Sequence, residues 1–178
     1  MERDELLQRY AAGERDFSQV NLTGINLAAT KLSGINLIRS DLSHACLTTA
    51  NLSGAFLVMA NLTAADLQHA TLIVANLSGA NLQDANLSHT NLCEAVLTGT
   101  LLSKANLSTA NLEGAILAGT NLAQANLQKA NLRGANLYGA DLQDADLSQA
   151  NLTRTNLRGA NLHGAILPEG QLQGSMAR

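Results

Sequence analysis

Leucine returns at every fifth residue from Leu22 to Leu172, and the series opens one step earlier on Phe17, giving 32 consecutive centres of which 31 are Leu. A period of five fits neither ordinary element. Five residues advance an α-helix by about 140°, which scatters leucine around every face. In a strand the same spacing sends successive leucines to opposite sides of a sheet. A chain that turns through one constant angle per repeat instead points every central residue at a single axis, so that each pentapeptide becomes one side of a coil in a solenoid.

The residues around each centre sharpen this reading. Two positions earlier stands Ala in 21 repeats, with Thr at Thr30, Thr90, Thr100, Thr120 and Thr155 as the main substitute, so only small side chains are expected there. All 18 Asn residues fall immediately before a centre, and Asp16, Asp41, Asp66, Asp141 and Asp146 share that slot. Short amides and carboxylates bond readily to nearby backbone and are expected at the corners. Gly at 12 of the last positions of the unit eases the turn. Burying each Leu contributes roughly 1.5–3 kcal/mol against the entropy of ordering its repeat, so a single unit cannot fold but a stack can.

The unit Ala-Asn/Asp-Leu-x-x, sustained over about residues 15–174, resembles the pentapeptide-repeat family. The resemblance implies an all-β fold: a right-handed quadrilateral parallel β-helix, or β-solenoid, with four pentapeptides per coil and about eight four-sided coils. The centre and the small residue would face inward and the other three positions outward. At the usual interstrand spacing the rod would be about 38 Å long. Residues 1–14 are expected to form an N-terminal capping helix, with Leu6, Leu7, Tyr10 and Ala11 at helical spacing and Gly13 as the stop. Its apolar face would cover Phe17 and the first coil. Residues 15–174 would form the β-helix and 175–178 a C-terminal tail. No helix follows Ile166-Leu167-Pro168, so the C-terminal coil is read as open. A monomer and an end-to-end dimer through that coil both stand as readings.

Composition and motif content argue against chemistry. The formal net charge is −3, without the basic surface that nucleic-acid binding requires, so no direct nucleic-acid contact is expected. No run approaches a membrane span, the N-terminus lacks a signal-peptide pattern, and a cytoplasmic setting is expected. Gly-x-x-x-x-Gly at Gly114 and Gly119 is two repeats rather than a phosphate loop, since no Gly-Lys-Ser/Thr follows. Cys46 and Cys93 fall on different sides and about two coils apart, and are read as free thiols. His69 and His89, 20 residues apart, would stack on one side with Asp66 beside the first; a metal site usually needs three or four such ligands, and the two are read as a solvated pair of histidines. Asp141, Asp144 and Asp146 would stay solvated on a convex rod. No catalytic residue, metal or cofactor is assigned.

Folding the sequence at modulus 20 isolates one side. Ile38, Phe56, Val58, Met59, Val96, Ile116 and Tyr138 all occupy nominally outward positions around Leu37, Leu57, Leu97, Leu117 and Leu137, whereas the other sides carry mostly polar residues with isolated exceptions such as Leu101 and Ile73. Such a strip is the candidate face for a protein partner, so far unidentified; the competing reading is a structural ladder of stacked side chains. The expected role is therefore a non-enzymatic interaction or scaffold module. The resemblance also offers DNA-mimic modulation of DNA gyrase, since some relatives protect or inhibit that enzyme. Against it, Asp16 through Gly174 contains ten acids and seven bases, and Lys31, Arg39, Lys104, Lys129, Arg133, Arg154 and Arg158 interrupt any negative stripe.

Overall fold

The computed structural model describes residues 1–169. One helix, α1 (Arg3–Ala11), precedes an unbroken coil. From Asp16 to Ile166 every parallel bridge joins residues 20 apart, beginning with Asp16 to Asn36 and ending with Asp146 to Ile166. Four turns separate the residues of each such pair, so each coil has four sides. The first side is centred on Phe17, Leu37, Leu57 and their successors. The second begins at Leu22, the third at Leu27 and the fourth at Leu32.

From Leu22 onward each turn has the same construction. The carbonyl of the central residue accepts the N–H three positions on, as in Leu22 O to Ile25 N–H at 3.0 Å, and the residue between, two after the centre, has a positive φ. That is the pattern of a type II turn, whose third residue belongs to the left-handed region. Glycine meets the demand freely at Gly24 and its equivalents, but Gln19, Met59, His69, Val74 and fifteen other non-glycine residues adopt the same φ. The coil imposes this conformation whether or not the sequence favours it.

Inside, every central Leu from Leu27 to Leu147 is fully buried, together with most of the small residues two positions before. Buried hydroxyls at that position bond to main-chain carbonyls: Thr100 to Leu77 O at 2.9 Å, Thr120 to Leu97 O at 2.8 Å, and Ser40 to Phe17 O at 2.8 Å. Among the described residues no buried side-chain polar atom lacks a partner. The expectation that only small side chains fit there fails in the first coil, where Ile25 and Ile35 are buried and Val20 partly so. No coil lies beneath them, and the room they occupy is shared with Leu6 of α1, itself fully buried.

The Asn and Asp residues lie on the flat sides, not at the corners. Each Oδ1 accepts the N–H two residues ahead, at 3.0 Å for Asn21 and Thr23, and where an Asn or Asp stands one coil below, several Asn amides donate to it, as Asn36 does to Asp16 at 3.0 Å. On the fourth side this makes a ladder from Asn151 to Asn131, Asn111 and Asn91. The corners belong to the two residues after each centre, so outward side chains there project between sides.

Helix α1 is fastened to the first coil. Tyr10 Oη donates to Ser33 O at 2.8 Å, and the N-terminal ammonium donates to Asn21 O at 3.2 Å. Arg9 pairs with Glu14 through two hydrogen bonds and lies 5.3 Å above the Phe17 ring. The pairing holds the Glu14 carboxyl below its usual range. At the other end Leu162 and Leu167 are partly exposed, Ile166 is exposed and Pro168 is buried. The openness expected of the C-terminal coil and the tail 175–178 depends on residues beyond 169, which lie outside the described residues.

Candidate interaction face

Three columns run up the first side and its outgoing corner. The residue before each centre gives Asn36, Phe56, Asn76, Val96, Ile116 and Asn136, in register through parallel bridges. The residues after the centre give Ile38, Val58, Ser78, Thr98, Ala118 and Tyr138 in one column, then Met59 followed by Gly79, Gly99, Gly119, Gly139 and Gly159 in the other. Phe56, Met59, Ile116 and Tyr138 are exposed, Phe56 by 49% and Tyr138 by 58%, whereas Ile38, Val58 and Val96 are half-buried. The seven side chains therefore share one side and its corner but do not contribute equally. Met59 lies over Gly79, with its Cγ 3.6 Å from where a glycine Cβ would stand.

Two further residues join this surface. Val74, 53% exposed, sits on the corner between the fourth and first sides, two residues before Asn76. It fills the level at which the Phe56 column is interrupted by an amide. Leu101, 40% exposed, stands on the second side two residues beyond Gly99. Among the described residues the exposed large hydrophobics are these two, Phe56, Met59, Ile116, Tyr138 and the terminal Ile166. All but Ile166 thus gather on the first side and its two borders. Modulus-20 folding treats Val74 and Leu101 as belonging elsewhere because it assigns outward residues to sides; the turns place them beside the strip.

The face is also uncharged. Between Arg39 and Arg158 no charged residue occurs in its three columns, and both arginines are exposed and free of ion pairs among the described residues. On the fourth side Arg133 bonds Glu113 at 3.0 Å. There a shallow depression of about 270 Å³ runs past Cys93, whose thiol burial pushes upward.

The other candidate groups do not converge. His69 and His89 stack with ring centroids 4.7 Å apart, and His89 Nδ1 meets Thr109 Oγ1 at 2.7 Å. Among the described residues no cluster of three or more His, Cys, Asp or Glu could hold a metal ion. Cys46 and Cys93 are free thiols. Asp144 lies against Gly164, and Asp146 bonds Ser148 and Gln128, with its carboxyl held below the usual range chiefly by the Ser148 hydroxyl. No helix of the described residues is long and apolar enough to cross a membrane.

The sequence profile of pentapeptide repeats matches eight copies over residues 16–54 and 60–175. Comparison with solved structures finds HetL of Nostoc sp. strain PCC 7120, a pentapeptide repeat protein involved in heterocyst differentiation regulation. It is 34% identical over 96% of this chain and 98% of that one, with a TM-score of 0.33. It also finds QnrB1, a plasmid-mediated fluoroquinolone resistance protein, at 21% identity, 88% and 90% coverage and a TM-score of 0.64. Rfr23 of Cyanothece 51142 is 26% identical over 92% and 98%, with a TM-score of 0.37. Comparison with curated proteins returns no match.

Proposed function

The chain belongs to the pentapeptide-repeat family, and from that premise we propose that it is a non-enzymatic protein-interaction module, a right-handed rod of about eight coils that presents its first side to a partner. Residues 1–14 serve as the cap and 15–174 as the rod. The observation that carries this reading is the gathering of Phe56, Met59, Val74, Leu101, Ile116 and Tyr138 on one uncharged side and its borders. A ladder serving stability alone would bury its side chains against one another. Here Phe56 is followed one coil up by Asn76, and Tyr138 stands above Ala118, so neither is covered by a like neighbour.

The test is capture from native extract with three proteins. They are the wild type, a Phe56→Glu/Val96→Glu/Ile116→Glu variant, and a charge-matched Gln68→Glu/Ser108→Glu/Gln128→Glu control on the third side. We expect a partner held by the wild type and the control and lost by the first-side variant while its melting temperature is retained. Equal retention by all three removes the face from the reading. The gyrase-modulator alternative rests on the family resemblance alone and is tested by a supercoiling assay. Unchanged supercoiling and unchanged drug sensitivity at micromolar protein eliminate it.

A further inference from the structure

The first side constrains what can lie on it, and the constraints converge on one class of partner. The backbone bonds that join its coils are all made, and only the single N–H groups of Val58, Thr98 and Ala118, two residues after Phe56, Val96 and Ile116, lack the Asn Oδ1 acceptor found at the other rungs. Phe56 N–H donates to Ile35 O and its carbonyl accepts from Leu37; Val96 and Ile116 are held in the same way between neighbouring coils at 2.7–2.9 Å. With no free edge along the side, an extended peptide cannot add as a strand, and the partner must satisfy its own main chain, as a helix does. The glycine column from Gly79 to Gly159 raises no side chain at the corner, so a helix can also reach toward Leu101 on the second side.

Charge sets the rest. Arg39 and Arg158 stand at opposite ends of the apolar strip about six rungs apart, roughly 29 Å at the usual interstrand spacing. Glu94 stands on the bordering corner near the middle, its chain running against Gly114. A second copy of this chain is poorly suited to the side. Antiparallel rods set Arg39 against Arg158, and parallel rods set each arginine against itself. A partner with carboxylates at its ends and none at its centre meets all three groups.

Resting on the interaction-face reading above, we propose that the first side docks an amphipathic helix of about 19 residues lying along the rod, since 1.5 Å per residue then spans the arginines. Its apolar stripe covers Phe56, Val96, Ile116 and Tyr138, and its acidic termini meet Arg39 and Arg158.

The experiment is selection from a displayed library of helical peptides of that length, with random apolar stripes and random end residues, on the immobilised full chain. Enrichment of acidic-ended amphipathic sequences is expected. An Arg39→Glu/Arg158→Glu protein, shown by circular dichroism to be folded, should bind those sequences about tenfold more weakly and enrich basic-ended ones. Enrichment indifferent to end charge, winners that still bind the Phe56→Glu/Val96→Glu/Ile116→Glu protein, or no enrichment each overturn the proposal. So does a dimer in sedimentation equilibrium that the triple variant dissociates. Those results leave the interaction-face reading to the capture experiment, where a partner lost by the triple variant but unaffected by reversing the two arginines would keep that reading and discard the helix.

Discussion

At the scale of single residues, the coil asks for a left-handed conformation at one position per repeat and leaves the side chain to bear the strain. Thr49 and Thr109 have φ of 57° and 58° and bond their hydroxyls to the preceding carbonyls at 2.7 and 2.6 Å. Val74, at φ 51°, is β-branched and has no such bond to offer. Val74→Gly should therefore raise stability by about 0.5–1 kcal/mol, read as a higher denaturant midpoint at unchanged slope, while weakening capture through the first side. Asp41 gives a second case. The Ser43 N–H, the Ser43 hydroxyl and, more weakly, the Asn61 amide hold its carboxyl below the usual range, so its contribution is present above the unfolded value of about 3.9 and is lost as pH falls through the lower folded value. Asp41→Asn keeps the acceptor and removes the titration. Denaturant midpoints measured from about pH 7 down to pH 2 should fall less steeply in the variant than in the wild type.

At the scale of elements, α1 acts as a lid on the tube. Leu6→Ala opens a cavity over Phe17 and should cost about 2–5 kcal/mol locally. Because each coil touches only its neighbours, the loss should appear as faster amide exchange at Phe17, Leu22 and Leu27 while Leu97 and Leu102 stay protected. Much of this architecture was legible beforehand. The fivefold recurrence excluded helix and strand by angle alone, and Leu6, Leu7 and Tyr10 marked the one segment with a different period. The bulky Val20, Ile25 and Ile35 were also in view, and an Ala slot filled by branched residues is the mark of a coil with nothing beneath it. Which outward residues meet across a corner was not legible. That depends on where the turn falls within the repeat, and periodicity sets the interval between turns but not their phase. Hence Leu101 looked isolated, Val74 drew no notice, and the Asn residues looked like corner residues, until the hydrogen bonds from Leu22 O to Ile25 N–H and from Thr23 N–H to Asn21 Oδ1 fixed the turns.

At the scale of the whole molecule, the 20-residue register acts as a combination lock. Every residue's side is its number modulo 20, so a missing pentapeptide leaves the stacking rules intact but rotates everything above the scar by a quarter turn. Deleting residues 81–85 should yield a folded rod that melts within a few degrees of the wild type, since one interior unit of many is lost. Yet Val96, Ile116 and Tyr138 would then stand above the fourth side while Phe56 and Met59 remain on the first, and capture through the strip should vanish. A chain built this way can drift in length by whole coils with its recognition surface in line, whereas a slip of one, two or three pentapeptides scrambles the surface and leaves the fold untouched.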